Sequence, residues 1–253
     1  MSSDRVVVGE LDARGVRLSY RVSGDPSGPP VVLLHGSGSD ASTWDRFASR
    51  LTAAGYRSIA LDLRGHATST RTTDYALTSI RDDVRHLLHA LDLKDVTLVG
   101  HSVGGHAAVA AALQVPGRIT RLVLEDLAAP PRSPAPMTAT GLLSGLAAVA
   151  GILTRRRNYH LRAAASIVLQ LSHPDPQWWV RLGAIEQPTL ILSGGQSSCI
   201  PPQRLAEVTA AMPVARLVTI PVGHRVHSLA HDRFAAEVLA FLTEPAASAV
   251  RRR

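Results

Sequence analysis

Gly100-His101-Ser102-Val103-Gly104 places a serine between two glycines at a change of pattern. Val96–Val99 before it is a continuous apolar run, and Val103–Gln114 after it is an Ala-rich helical one. A hydroxyl on a strand-to-helix turn projects at the carboxyl edge of a sheet. Small flanking residues relieve the crowding of the turn, and the new helix aims its first N–H groups at developing negative charge. Ser102 is therefore a candidate nucleophile for acyl transfer. A plain Gly-rich corner would use the same residues, so the reading needs support from elsewhere in the chain.

Acyl transfer also needs two fixed N–H donors aimed at an oxyanion. His35-Gly36-Ser37-Gly38-Ser39-Asp40 follows an apolar run, with Trp44 opening the next helix. Its glycines let the backbone turn close to a substrate. The backbone amides of Ser37 and Val103 are the candidate oxyanion donors.

The elements that must position these groups follow from periodicity. Valine-rich segments near Arg5–Leu11 and Val16–Val22, separated by Asp12-Ala13-Arg14-Gly15, predict an antiparallel hairpin. Short apolar runs at Val31–Leu34, Ser58–Asp62, Val96–Val99, Leu122–Leu124, Thr189–Leu192 and Leu217–Ile220 predict parallel strands buried on both faces. Helical patterns lie between them. One carries its apolar stripe on Ile80, Val84, Leu87, Leu88 and Leu91, with Thr78 as the expected cap. The alternation predicts an α/β domain with helices on both faces of the sheet.

After Asp126 the alternation lapses for about sixty residues, more than a strand-to-helix connection needs. That stretch holds Pro130-Pro131, Pro134, Pro136, Ala/Leu-rich segments and Trp178-Trp179. It predicts an inserted cap, which would either roof a pocket or be anchored to the core by the two tryptophans. The expected organisation is a core built from residues 1–126 and 188–243, an insertion over 127–187 and a tail over 244–253.

A chain of 253 residues with one cysteine, Cys199, forms no internal disulfide and no cysteine-rich metal site. A reducing, cytoplasmic setting is expected. The longest apolar stretch, Gly141–Leu153, is too short and Gly-rich to span a bilayer, and the start shows no leader pattern. Much of the net charge of +7 sits in Arg155-Arg156-Arg157 and Arg251-Arg252-Arg253. Without interleaved aromatics or a long basic stripe, these read as solvated charge, with no nucleic-acid partner.

His35-Gly36, Asp62-Leu63-Arg64-Gly65-His66, Gly100-His101-Ser102-Val103-Gly104-Gly105 and Gly223-His224 occur in the order seen in the α/β-hydrolase superfamily, which the chain resembles over nearly its whole length. The resemblance implies an eight-stranded, mostly parallel sheet, a cap inserted after strand six, and a serine, acid, histidine triad in that chain order. A serine at the nucleophile position implies ester, thioester, lactone or amide chemistry. Aspartate at that position serves epoxide opening and halide displacement instead.

His224, just beyond the last apolar strand, is the expected base; His227 and His231 are weaker candidates. An imidazole must take the serine proton during attack and return it to the leaving group. His35, His66 and His101 occupy motif positions where turn packing and hydrogen bonding are expected. Asp62 or Arg64 would fix its loop by an ion pair.

The acid departs from the common pattern. Many relatives carry an aspartate after strand seven, where this chain reads Leu192-Ser193-Gly194-Gly195-Gln196-Ser197-Ser198-Cys199-Ile200-Pro201-Pro202. Glu125-Asp126, at the end of strand six, is the remaining source. Successive strand residues point to opposite faces, so only one of the two can serve. The match to family branches with a strand-six acid selects Asp126, with Glu125 as the alternative.

The reading is a metal-free serine hydrolase that needs no cofactor and acts on a small apolar acyl substrate. Two other readings stay open. One is a carbon–carbon hydrolase or perhydrolase on the same fold; the other is a non-catalytic small-ligand receptor. Oligomeric state and acyl length are not specified by the sequence.

Overall fold

The computed structural model describes residues 6–133 and 159–245. Eight strands form one sheet: β1 (Val7–Asp12), β2 (Arg17–Ser23), β3 (Pro30–Leu34), β4 (Arg57–Leu61), β5 (Val96–His101), β6 (Ile119–Glu125), β7 (Thr189–Ser193) and β8 (Ala215–Thr219). Their order across the sheet is β1-β2-β4-β3-β5-β6-β7-β8. β2 is antiparallel to both β1 and β4, and every other pairing is parallel. The sequence expectation of a hairpin followed by parallel strands is met, with boundaries moved by one to three residues.

The helices are α1 (Asp45–Ala53), α2 (Leu77–Ala90), α3 (Val103–Gln114), α4 (Leu161–Ser172), α5 (Pro176–Arg181), α6 (Pro202–Ala211), α7 (Val226–Leu229) and α8 (His231–Thr243). Alternation along the strands divides the core. Val32 and Leu34 face the layer of α2, α3 and α6, whereas Val31 and Leu33 face Phe47 and Leu51 of α1 and Phe234 and Val238 of α8. Two-sided burial explains the continuous apolar runs of the inner strands, whereas β8, expected to be buried on both faces, is partly exposed because it lies at the sheet edge.

α3 lies nearest the sheet centre, and its composition follows from that. A Cβ at Gly104 would sit 2.3 Å from the Leu34 carbonyl oxygen, and one at Gly100 would sit 2.4 Å from the Gly104 oxygen. Neither backbone oxygen can move aside, so glycine is required at both positions. Ala107, Ala108, Ala111 and Ala112 then keep the buried helix close to the strands.

One local expectation needs correction. Thr78 does not cap α2, which starts at Leu77. The Leu77 N–H donates to Gln170 Oε1 of α4, and Asp74 Oδ1 accepts from the Ala76 N–H. A tertiary partner supplies the acceptor that a local hydroxyl was expected to provide. Of Asp62 and Arg64, it is Arg64 that fixes its loop by ion pairs. Its guanidinium forks onto both Asp83 oxygens at 2.6 and 2.7 Å and reaches Asp74 at 3.1 Å, while Asp62 Oδ1 accepts from the Ala41 N–H at 2.7 Å.

Between β6 and β7 the described residues form α4, α5 and a short 3₁₀ turn, Leu182–Ala184, a helical insertion after the sixth strand. Trp178 and Trp179 are both buried there; Trp179 Nε1 donates to the Pro130 carbonyl at 2.9 Å, and Trp178 stacks on His106 of α3. Both tryptophans thus tie the insertion to the core. Residues 134–158, with Pro134, Pro136, the Gly141–Leu153 stretch and one arginine cluster, lie outside the described residues, as do Arg5 and the terminal arginines.

Candidate active site

Ser102 joins β5 to α3 with φ 54° and ψ −117°, a conformation that a non-glycine residue adopts only at a cost of about 1–3 kcal/mol. The turn is held from three sides. The Ser102 N–H donates to the Glu125 carbonyl at 2.9 Å, and the Ser102 carbonyl accepts from the N–H groups of His106 and Ala128, both at 3.2 Å.

The loop after β3 packs directly on this turn. A Cβ at Gly36 would come within 3.2 Å of the Ser102 Cβ and 2.6 Å of His101 Nδ1. Ser37, the next residue, is one predicted oxyanion donor. Val103, the other, opens α3, and a helix start leaves its N–H without an intrahelical acceptor.

Two neutral histidines hold that loop. His35 Nδ1–H donates to the Gly36 carbonyl at 2.8 Å, and its Nε2 accepts from the Leu63 N–H at 3.0 Å. His66 Nδ1–H donates to the Arg64 carbonyl at 3.1 Å, and its Nε2 accepts from the Gly38 N–H at 3.3 Å. Each ring must keep one nitrogen unprotonated to accept. Burial supports this, with the neighbouring His66 adding to the effect on His35: His35 is lowered to about 3 and His66 to about 4.

His224 lies on the loop after β8, and its Nδ1–H donates to Asp126 Oδ2 at 2.7 Å. Of the two neighbouring carboxylates, Asp126 is the one that meets this ring. Its side chain is fully buried, and its backbone has φ 45°. The β7 loop, which contains no carboxylate, supplies donors to Asp126. The Gly194 N–H reaches Oδ1 at 2.9 Å, and the Ser198 hydroxyl donates to Oδ2. Burial opposes a charged His224, but hydrogen bonds to Asp126 and to the exposed Cys199, with the charge both can carry, raise the imidazole to about 10.

His101 links the serine turn to the base loop. Its Nε2–H donates to the His224 carbonyl at 2.7 Å, and its ring centroid lies 4.6 Å from that of His224. Burial keeps His101 well below the usual histidine range, so it is neutral.

Glu125 takes a different histidine. His227 Nδ1–H lies 2.8 Å from Oε1 and 2.7 Å from Oε2, and the His227 backbone N–H donates to Oε1 at 2.9 Å. His231, at the start of α8, has Arg46 as a charged neighbour and is lowered by burial. The structure thus brings Ser102, Ser37, Val103, His224 and Asp126 to one edge of the sheet and assigns His227 and Glu125 to each other. Sequence reasoning missed Ser198, Gly194 and this second pair. The available signal for the pair was two histidines three residues apart matching two adjacent carboxylates.

Among the described residues no cluster of histidine, cysteine and carboxylate side chains has metal-site geometry, and no helix is long and apolar enough to cross a membrane.

A family model described as alpha/beta hydrolase fold matches residues 29–173. The chain is similar to the mouse sn-1-specific diacylglycerol lipase ABHD11, with 28% identity over 91% of this chain and 87% of that protein. It is also similar to a Pseudomonas putida 2-hydroxy-6-oxononadienedioate/2-hydroxy-6-oxononatrienedioate hydrolase 2, with 31% identity over 84% of this chain and 85% of that one. Among solved structures, a Bacillus anthracis bromoperoxidase superposes with a TM-score of 0.82 at 21% identity, covering 94% of this chain and 100% of that one, a likeness of fold. With more than half its length matched by the family model and the sheet order described above, the chain belongs to the α/β-hydrolase fold family.

Proposed function

We propose that the protein is a serine hydrolase that cleaves an ester, thioester, lactone or related acyl bond of a small apolar substrate through an acyl-enzyme on Ser102. The carrying observation is a serine on a strained turn at a helix start, on the same sheet edge as an imidazole whose far nitrogen is held by a buried carboxylate.

A serine hydroxyl is a weak nucleophile until its proton is removed as attack proceeds. His224 takes that proton on Nε2 while Asp126 fixes Nδ1–H and stabilises the imidazolium. The acyl carbon becomes tetrahedral, and its oxygen takes up negative charge opposite the Ser37 and Val103 N–H groups. Collapse expels the leaving group, which receives the proton from His224. Water, deprotonated by the same ring, then releases the acid. A raised imidazole suits the proton-donating half of this cycle, and turnover grows as pH approaches the value at which the ring is neutral. The insertion between β6 and β7 covers the apolar part of the substrate, and the single free cysteine suits a reducing, cytoplasmic compartment.

The test is covalent labelling with a fluorophosphonate. Stoichiometric labelling of the wild type, lost in Ser102→Ala, together with hydrolysis of a short-chain aryl ester, is the expected result. Folded wild-type protein that takes no label overturns the reading.

The similarity to a relative named as a 2-hydroxy-6-oxononadienedioate hydrolase favours a second reading, carbon–carbon cleavage at the same serine. Vinylogous diketones turned over faster than aryl esters would select it.

A further inference from the structure

The proposed cycle makes no use of Glu125 or His227, yet both are buried and paired as closely as His224 and Asp126. Leaving a carboxylate in an apolar interior is costly, so a pair retained there needs hydrogen bonds on every side. Among the described residues the Glu125 carboxylate has three hydrogen-bond contacts, all to His227: two to the ring and one to its backbone N–H. His227 Nε2 shares a hydrogen bond with Thr43 Oγ1 at 2.8 Å. Trp44 lies on the ring at 4.4 Å between centroids, and His101 meets it edge-on at 5.2 Å.

These contacts join three pieces of the site. Thr43 and Trp44 belong to the 3₁₀ turn Ala41–Trp44 that directly follows the glycine-rich loop of Ser37. Glu125 ends the strand whose next residue is Asp126. His227 lies three residues beyond His224, on the same connection from β8. Because Glu125 and Asp126 are successive and point to opposite sides, each grips one histidine of that connection. Swinging His224 away from Ser102 would therefore strain the Glu125–His227 contact, and displacing His227 would shift both the base and the turn behind the oxyanion loop.

We infer that Glu125 and His227 are positioning residues that hold the base at His224 in register with the oxyanion loop through Thr43. This rests on the serine-hydrolase reading.

The experiment measures aryl-ester turnover per fluorophosphonate-labelled site, so that any unfolded fraction is not counted. His227→Leu removes the ring contacts with both Glu125 and Thr43. kcat per labelled site is expected to fall about 100-fold with KM changed less than about threefold, the scale of a misplacement of roughly 1 Å in the reacting groups. His227→Asn keeps an N–H at the Nδ1 position and is expected to restore kcat to within about tenfold of wild type. Thr43→Val, which removes one hydroxyl and can be made even if His227→Leu does not fold, is expected to lower kcat about threefold to tenfold at constant KM. Unchanged kcat per labelled site in His227→Asn and Thr43→Val, with His227→Leu either equally active or unfolded, assigns the pair to stability alone and overturns the inference. Equal losses in the Leu and Asn variants also overturn it. A wild type that takes no label overturns the serine-hydrolase reading first, and this one with it, whereas a labelled, active wild type with unaffected variants sinks only this one.

Discussion

Ser198 donates its hydroxyl hydrogen to the same Asp126 oxygen that accepts from His224. The donor comes from the β7 loop, where the resemblance expects an acid. The carboxylate that meets His224 lies just after β6, and the β7 loop supports it with the Ser198 hydroxyl and the Gly194 N–H. With His224 Nδ1–H these make three donors, among the described residues, around a fully buried carboxylate.

Asp126→Asn should preserve the shape of the site and remove the charge behind the ring. By analogy with the acid of other triads, kcat for an aryl ester is expected to fall on the order of 10⁴-fold. Ser198→Ala removes one donor of three and is expected to cost about tenfold or less. Steady-state kinetics on both variants check the order. A larger loss in Ser198→Ala than in Asp126→Asn would place the acid elsewhere.

Gly36→Ala tests the contact between the oxyanion loop and the serine turn. The new methyl would meet His101 Nδ1 at 2.6 Å and the Ser102 Cβ at 3.2 Å, so the loop must back away from the nucleophile. kcat is expected to drop about 100-fold while the fluorophosphonate still labels Ser102 to completion, only more slowly. An unchanged kcat would show that the Ser37 amide does not bind the oxyanion.

The Cys199 contact predicts a shift in the pH profile. Only a neutral His224 can take the Ser102 proton, so kcat/KM rises with pH through the pKa of the ring, which Asp126 and Cys199 together raise to about 10. Cys199→Ala withdraws one of the two groups that favour the charged ring. The rising limb of kcat/KM should move to lower pH, and a limb that stays in place would remove Cys199 from the electrostatics of the base.

Four buried histidines predict acid sensitivity. Burial, the largest cause in each case, lowers His35 to about 3, His66 and His106 to about 4, and His101 well below the usual range. The unfolded chain therefore binds more protons than the folded one once pH falls below about 6.5, and stability declines from there toward pH 4. Asp62, raised to about 6 by burial, and Asp83, also raised by burial, work the other way but are two groups against four. His106→Leu should flatten the decline by on the order of a few kcal/mol near pH 4, read from urea melts at pH 7 and pH 4.5. A slope identical to wild type would mean that His106 is not the neutral, buried group described.

Much of the fold was legible because its signals are local. Two-sided burial writes continuous apolar runs, so the strands could be placed to within one to three residues. The Ala-rich α3 has the bounds expected from its pattern, and the glycines at 100 and 104 mark where backbone must approach backbone. Thr78 shows the limit of such reasoning, since the acceptor for the first turn of α2 comes from Gln170, 93 residues away in sequence.

The sequence by itself determined that a serine sits on a strand-to-helix turn, that a glycine-rich loop follows an earlier strand, and that the strand-seven loop lacks a carboxylate. These are facts of residue type and neighbouring pattern. Which of Glu125 and Asp126 meets His224, and that Ser198, His101 and His227 tie the site together, only the tertiary structure decided. Strand alternation sends adjacent side chains to opposite faces, but what waits on each face is set by chain segments about one hundred residues away, whose arrival no local periodicity records.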